Sequence, residues 1–244
     1  MVSKSQIKLI TSLQQKKYRI KHDLFFVEGT KVIQEFYGAG WKIYALFSTE
    51  KLDFVPESKV TLISENELKK ISALKSPNKA LAVFYLPKPE ILQQIDFMVA
   101  LDGIRDPGNL GTIIRLCDWF GIKQIICSED TVDCFNPKVL QASMGSLARV
   151  QLHYLDLEDF FDRVNKLPVY GAFMDGENVY KEKLPRQAVL LMGNEGSGIS
   201  STLEKSISKR ISIPQFGSQQ QTESLNVAMA TSILLSEFHR AIEK

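Results

Sequence analysis

Three short segments in the second half of this chain place Asn, Arg, Glu, Ser and Gly where strand and helix patterns elsewhere supply apolar residues. They are NLGTIIR (109–115), LMGNEGSGIS (191–200) and ISIPQFGSQQQTESLNVA (211–228). Asn109 and Arg115 are six residues apart, a spacing that can bring an amide and a guanidinium near one end of the same helix. Glu195 stands inside a turn made of Gly193, Gly196 and Gly198, where a carboxylate needs solvent or a partner. Ser224 and Asn226 open the last helical pattern, and Leu225 between them can pack on a ligand ring. Each segment also has a plain reading: a capped turn with a surface Arg, a glycine turn, and a Ser224 N-cap. The glycine segment lacks the Lys-Ser/Thr of a phosphate loop and the GxGxxG spacing, so it suits an uncharged adenosine held by backbone groups better than a phosphate. Three polar clusters near strand ends point to one shared site.

The elements that must position these residues alternate in type. Residues 1–20 have Ile7, Ile10 and Leu13 on one side of an amphipathic helix. A small α/β pattern follows: a strand to Gly29, a helix over 30–38, strands at 42–49 and 60–63, a helix opened by Ser64 with Glu67 in capping-box spacing, and a strand at 80–86. Pro87 and Pro89 break the pattern, which sets domains of 1–88 and 89–244. The second begins with FMVALDGI, an apolar run typical of a buried parallel strand. Helices are expected at 112–121, 136–148, 157–167 and from Ser224 to the end, with strands at 123–129, 168–175, 188–195 and 210–214. The last helix carries Leu225, Met229, Ser232/Ile233 and Ser236 along one stripe. Alternation of this kind predicts an α/β fold with a mainly parallel sheet.

Composition excludes several classes. No apolar run approaches the roughly 20 residues that span a bilayer, and no signal-peptide block opens the chain, so a cytoplasmic protein with no membrane partner is expected. Cys117, Cys127 and Cys134 show no CxxC spacing and the three histidines are scattered, which argues against a disulfide framework, a metal site or a Ser-His-Asp triad. Net charge is +2, but residues 1–22 hold six basic side chains and no acid. A basic arm on a near-neutral body suits phosphate contact, and deleting it is expected to weaken binding of a polyanion while sparing a small ligand.

Taken together, the three segments resemble, in order and spacing, the motifs of the SpoU (TrmH) family of RNA ribose methyltransferases, of the SPOUT class. NLGTIIR matches Asn-x-Gly-x-x-x-Arg, GNEGSGIS the second motif with its Glu, and IPQFG with ESLNVA the third. QASMGSLARV (141–150) is also similar, and the N-terminal part more loosely resembles an L30e-like substrate-binding domain. One departure is the five-residue SQQQT (218–222), where the family has about two. The resemblance implies a deep C-terminal trefoil knot, a homodimer, and S-adenosylmethionine as methyl donor without a metal. It implies donor contacts at Gly193, Ile213 and Leu225, and polar or catalytic roles for Asn109, Arg115, Glu195, Ser224 and Asn226. It makes structured RNA the substrate, with 23S rRNA favoured and tRNA open. The family casts the arginine, here Arg115, as a base, whereas guanidinium chemistry favours a grip on phosphate. The rival reading is a catalytically silent RNA-binding or ribosome-assembly factor.

Overall fold

The computed structural model describes residues 1–88, 92, 97–164, 167–217 and 223–242; the SQQQT stretch lies outside them. The chain forms two units: Met1–Glu90 joined by Asp133–Arg149, and Ile91–Val132 joined by Val150–Lys244.

In the first unit, strands β1 (Leu24–Glu28), β2 (Ile43–Ser48), β3 (Thr61–Leu62) and β4 (Ala80–Tyr85) form a sheet in the order β1-β4-β2-β3. β4 runs antiparallel to both its neighbours. Successive side chains of β1 alternate between faces, and both faces are covered, so LFFV is buried throughout. Leu24 and Phe26 join a core with Val2, Ile10, Leu13, Leu68 and Ile71. Phe25 instead meets Phe36, Trp41, Phe84 and Phe135 at centroid distances of 4.8 to 5.8 Å.

The expected single helix over 1–20 is two helices, α1 (Lys4–Ser12) and α2 (Lys16–His22). The break is made by Arg19. Its Nη1 donates to the carbonyls of Leu13 (2.8 Å) and Gln14 (3.0 Å), which a continuous helix would have used, and its Nη2 pairs with Asp133. Arg19 is therefore a buried structural cation, only 3% exposed, and not part of a phosphate-binding arm. The terminus is tied down as well: Ser3 and Gln6 form a capping box, and the Val2 N–H donates to Glu67 at 2.9 Å. Deleting residues 1–22 would remove core, so it cannot serve as a clean test of RNA contact. The lysines at 4, 8, 16, 17 and 21 remain exposed.

Helix α3 (Thr30–Gly38) packs on β1 and β4. Helix α4 (Glu65–Ile71) is opened by the expected Ser64–Glu67 box. Residues 133–149 close the unit. Phe135 enters the aromatic cluster, the Trp41 indole donates to the Ala148 carbonyl (3.3 Å), and Arg149 pairs with Glu35. The helix expected through Ala148 stops earlier, as α6 (Pro137–Ser143). Met144 and Gly145 both turn left-handed there (φ 52° and 94°), and a Cβ at Gly145 would sit 2.7 Å from Glu35 Cγ. A short 3-10 turn, Ser146–Ala148, follows.

Among the described residues, the second unit holds six strands: β5 (Phe97–Leu101), β6 (Gln124–Cys127), β7 (Gln151–Tyr154), β8 (Val169–Asn178), β9 (Ala188–Met192) and β10 (Lys209–Ser212). Every pairing is parallel, in the order β10-β8-β9-β5-β6-β7. From β5 the chain steps outward through β6 and β7, then crosses to β8 on the other side. The switch point therefore falls between β5 and β9, where open α/β sheets bind ligands beyond the strand C-termini. Helices α5 (Pro107–Trp119), α7 (Leu157–Arg163) and α8 (Val227–Ile242) complete the unit, with α5 against α8. α8 buries Val227, Ala228, Thr231, Leu234, Leu235 and Phe238; of the expected stripe, Met229 and Ser236 are exposed, Ser232 and Ile233 are half-buried, and Leu225 is exposed ahead of the helix.

Candidate active site

β5 and β9 end side by side, with Leu101 in register with Met192, and their loops are tied together at once. The Asp102 carboxylate accepts the Ser200 N–H (2.7 Å), and the Asn194 amide donates to the Gly103 carbonyl (2.6 Å). Gly103 turns left-handed (φ 66°) and its N–H donates to the Ser128 hydroxyl at 2.8 Å. That hydroxyl donates to Asp130, which also pairs with Arg105 at 3.0 Å. The Ser128 bond, then Arg105, holds the Asp130 carboxyl below the usual range.

The glycine turn folds on itself through reciprocal backbone bonds between Asn194 and Gly198, both 2.9 Å. Gly193 has to be glycine: any Cβ there would collide with the backbone of Gly198 and Ile199. The Asn194 side-chain oxygen accepts the N–H groups of Gly196 (2.9 Å) and Ser197 (3.1 Å), which lifts Glu195 to the exposed tip.

Asn109 does not cap its helix. Asp106 does, accepting the Asn109 N–H at 2.8 Å, with Pro107 in the first turn. The Asn109 amide is thereby released to reach across, and its Nδ2 donates to Glu195 Oε1 at 2.6 Å. Its Oδ1 accepts from Asn226 Nδ2 at 2.9 Å. Asn226, and not Ser224, caps α8: its Oδ1 accepts the N–H groups of Ala228 (3.0 Å) and Met229 (3.3 Å). Three residues separated by 86 and 117 positions thus form one hydrogen-bonded line. The N-termini of α5 and α8 meet beside the Glu195 carboxylate, a favourable setting for negative charge.

The other expected site residues stand around this line. Arg115 lies on α5 beyond Asn109, exposed and without a hydrogen bond or ion pair among the described residues. Six helical residues separate the two by about 9 Å of rise and roughly a third of a turn, so they do not share a face. Ser224 is exposed in the loop before α8, and Leu225 beside Asn226 is 51% exposed. Gly193 is buried at the start of the glycine turn, and Ile213 is half-buried just past β10. A buried glycine just past β9, a half-buried isoleucine just past β10 and an open leucine just before α8 suit the apolar, backbone-lined surroundings an adenosine needs. The fastening residues Asp102, Ser128, Asp130 and Asn194 were not expected. Their sequence signal was an Asp directly after a buried strand and an Asn inside a glycine turn.

Comparison with known proteins places this arrangement. The model described as the SpoU rRNA Methylase family matches residues 96–236, and that of the MRM3-like substrate binding domain matches residues 4–82. The 23S rRNA (guanosine(2553)-2′-O)-methyltransferase RlmP of Bacillus subtilis is 28% identical over 231 residues, covering 91% of each chain. A TrmH-family structure from Porphyromonas gingivalis superposes with TM-score 0.89 at 40% identity, covering 98% of this chain and 99% of that one. An AdoMet-bound rRNA methyltransferase from Sinorhizobium meliloti gives TM-score 0.85 at 31% identity, covering 98% and 97%. With the catalytic-domain match covering more than half the chain and the three motif segments converging on one hydrogen-bonded line, the chain belongs to the SpoU rRNA methylase family.

Proposed function

We propose that this chain methylates a ribose 2′-hydroxyl of structured RNA, with S-adenosylmethionine as donor and 23S rRNA as substrate. The observation that carries this reading is the Asn226–Asn109–Glu195 line, which gathers the family's three motif segments at the sheet's switch point. Gly193, Ile213 and Leu225 would hold the donor. When bound, S-adenosylmethionine supplies a methyl group already activated on a sulfonium. What remains for the protein is to orient the hydroxyl in line and let its proton leave. In this reading Asn109, Glu195 and Asn226 fix the three loops, and Ser224 faces the substrate from the last one.

Arg115 grips the phosphate beside the target ribose. A guanidinium could take a proton only if burial and a neighbouring cation favoured its neutral form, and Arg115 is exposed. Its five donors suit a phosphate instead. The exposed lysines of α1 and α2 add phosphate contacts that carry no sequence information. A second copy of the chain would cover the outward stripe of α8, where Met229 is 61% exposed, and Trp119 at the end of α5, 85% exposed. The family's trefoil knot is consistent with the path of the chain, which leaves β10 at the sheet's edge and returns as α8 against α5. A cytoplasmic site of action is part of the same proposal.

Mapping 2′-O-methyl groups in total RNA from cells with and without this protein tests the reading. One ribosomal site should vanish and return when purified protein and S-adenosylmethionine are added. Donor binding without transfer to any cellular RNA would make the chain a silent RNA-binding factor. Full transfer by Arg115→Ala would remove Arg115 from the site. Transfer retained with weaker RNA affinity in Arg115→Lys would support the grip.

A further inference from the structure

Two aromatic rings stand open to solvent past the strand ends, one of them (Phe216) within the third segment, and neither has been given a role so far. Phe216, three residues past Ile213, is 84% exposed, and Tyr180 is 40% exposed. Their strands, β10 and β8, are parallel neighbours with Ser212 opposite Asn178, so both rings leave the sheet at the edge that carries the glycine turn and α5. The Tyr180 turn is fixed: Asn178 caps the Tyr180 N–H at 3.0 Å, and Val179 beneath it is 1% exposed. The rings face each other at a centroid distance of 6.3 Å and an interplanar angle of 34°.

A phenylalanine this exposed contributes almost no burial to the fold, and it stands against a second exposed ring, so the two form an open aromatic patch and not a lone apolar side chain. Resting on the RNA-methyltransferase reading, we propose that Tyr180 and Phe216 form a stacking clamp for one nucleobase of the RNA, at or next to the methylated ribose. A base held between two rings needs a wider and more nearly parallel gap than the present 6.3 Å and 34°. A small swing of Phe216 provides that. Aromatic platforms of this kind hold single-stranded RNA where bases are splayed from the helix. The surrounding charge is mixed: Arg210 is shared between Asp175 and Glu204, Lys209 pairs with Glu182, and Lys181 and Lys183 are exposed beside the exposed Glu177, so the proposal rests on the rings and not on charge.

The test uses the full chain with ribosomal RNA from cells lacking it, measuring KM and kcat for methyl transfer together with donor affinity and oligomeric state. Phe216→Ala and Tyr180→Ala should each raise the RNA KM about 10-fold, within the range of one lost base–aromatic stack, leaving donor affinity and assembly unchanged. Phe216→Trp and Tyr180→Phe should restore it. An unchanged KM overturns the clamp. So does a loss of donor affinity, which would place the ring in the donor pocket, or a loss of assembly, which would make it a subunit contact. A single-stranded RNA oligomer carrying 2-aminopurine separates the clamp from the parent reading. Absence of transfer by the unaltered chain defeats the methyltransferase reading, whereas fluorescence quenching that the Phe216→Ala variant fails to match supports stacking whatever the chemistry.

Discussion

The line Asn226–Asn109–Glu195 has a polarity that one pair of substitutions can reverse. Asn109 donates to the Glu195 carboxylate at 2.6 Å and accepts from Asn226 at 2.9 Å. Asn109→Asp keeps the acceptor toward Asn226 but faces Glu195 with a second carboxylate. It loses a charge-assisted hydrogen bond, a net contribution of about 1.5–3 kcal/mol, and adds repulsion. Glu195 is exposed, so screening trims both effects, and a total of about 2 kcal/mol is expected, roughly 30-fold in kcat/KM. Glu195→Gln alone should cost less, about 1 kcal/mol, because a glutamine oxygen still accepts from Asn109. The double variant restores complementarity, since a glutamine amide donates to the new aspartate. Tritiated methyl transfer and urea unfolding measured on all four proteins give the coupling energy. If the line works by holding the loops, the double variant regains most of the kcat/KM lost by Asn109→Asp. Additive losses, with coupling under about 0.5 kcal/mol, would refute the contact as the organising element of the site.

Other expectations follow from particular contacts. Arg19→Met strands the Asp133 carboxylate and two carbonyls in the first unit, so unfolding in urea should show about 3–5 kcal/mol of destabilisation; a loss below 1 kcal/mol would make the bridge dispensable. Gly193→Ala must push apart the backbone of the glycine turn, at a cost of about 1–3 kcal/mol, and calorimetry should show weakened S-adenosylmethionine binding. Charge reversal at Lys8, Lys16, Lys17 and Lys21 should lower RNA affinity and flatten its salt dependence by up to one unit of slope per lysine in phosphate contact; an unchanged slope would mean a solvated face. Glu67 is held at about 2 by the Ser64 and Val2 N–H groups, below its ordinary 4.5. A depressed carboxyl stabilises the fold above its ordinary value and loses that stabilisation as pH falls through the depressed one. Unfolding of the first unit should therefore grow easier from pH 4.5 toward 2, and Glu67→Gln should flatten that slope.

Most strands were legible because buried parallel strands read as apolar runs closed by glycine or proline, as FMVALDG and AVLLMG do. The Ser64 box was legible for a similar reason, since its partners lie three residues apart. What local pattern could not show is where a distant side chain ends a helix. Leu13 keeps the apolar period of residues 1–20, yet its carbonyl is taken by Arg19, which Asp133 holds in place. Met144 is an unremarkable helix residue until Gly145 must abut Glu35. Ser224 and Asn226 are equally good caps by type, and the choice falls to Asn226, whose amide also reaches Asn109. Among the expected site residues, Asn109, Glu195 and Asn226 are brought into contact, while Arg115 stands apart on a different face of α5.

That separation divides the labour within the site. The three linked residues arise from three different loops, so their hydrogen bonds form only when all three loops are in place. Each amide is committed at both ends: Asn226 Oδ1 caps α8 while its Nδ2 serves Asn109, and Asn109 Oδ1 and Nδ2 serve Asn226 and Glu195. Groups so occupied orient a site but have little left to offer a substrate. Arg115 has the opposite character, with its guanidinium in solvent and every donor available among the described residues. A substitution in the line should accordingly disturb donor and RNA binding together, because it loosens the loops that hold both, whereas Arg115→Lys should touch RNA alone. Calorimetry with S-adenosylmethionine on Asn226→Ala and Arg115→Lys decides this: equal donor affinity in both variants would mean that the line does not shape the donor pocket.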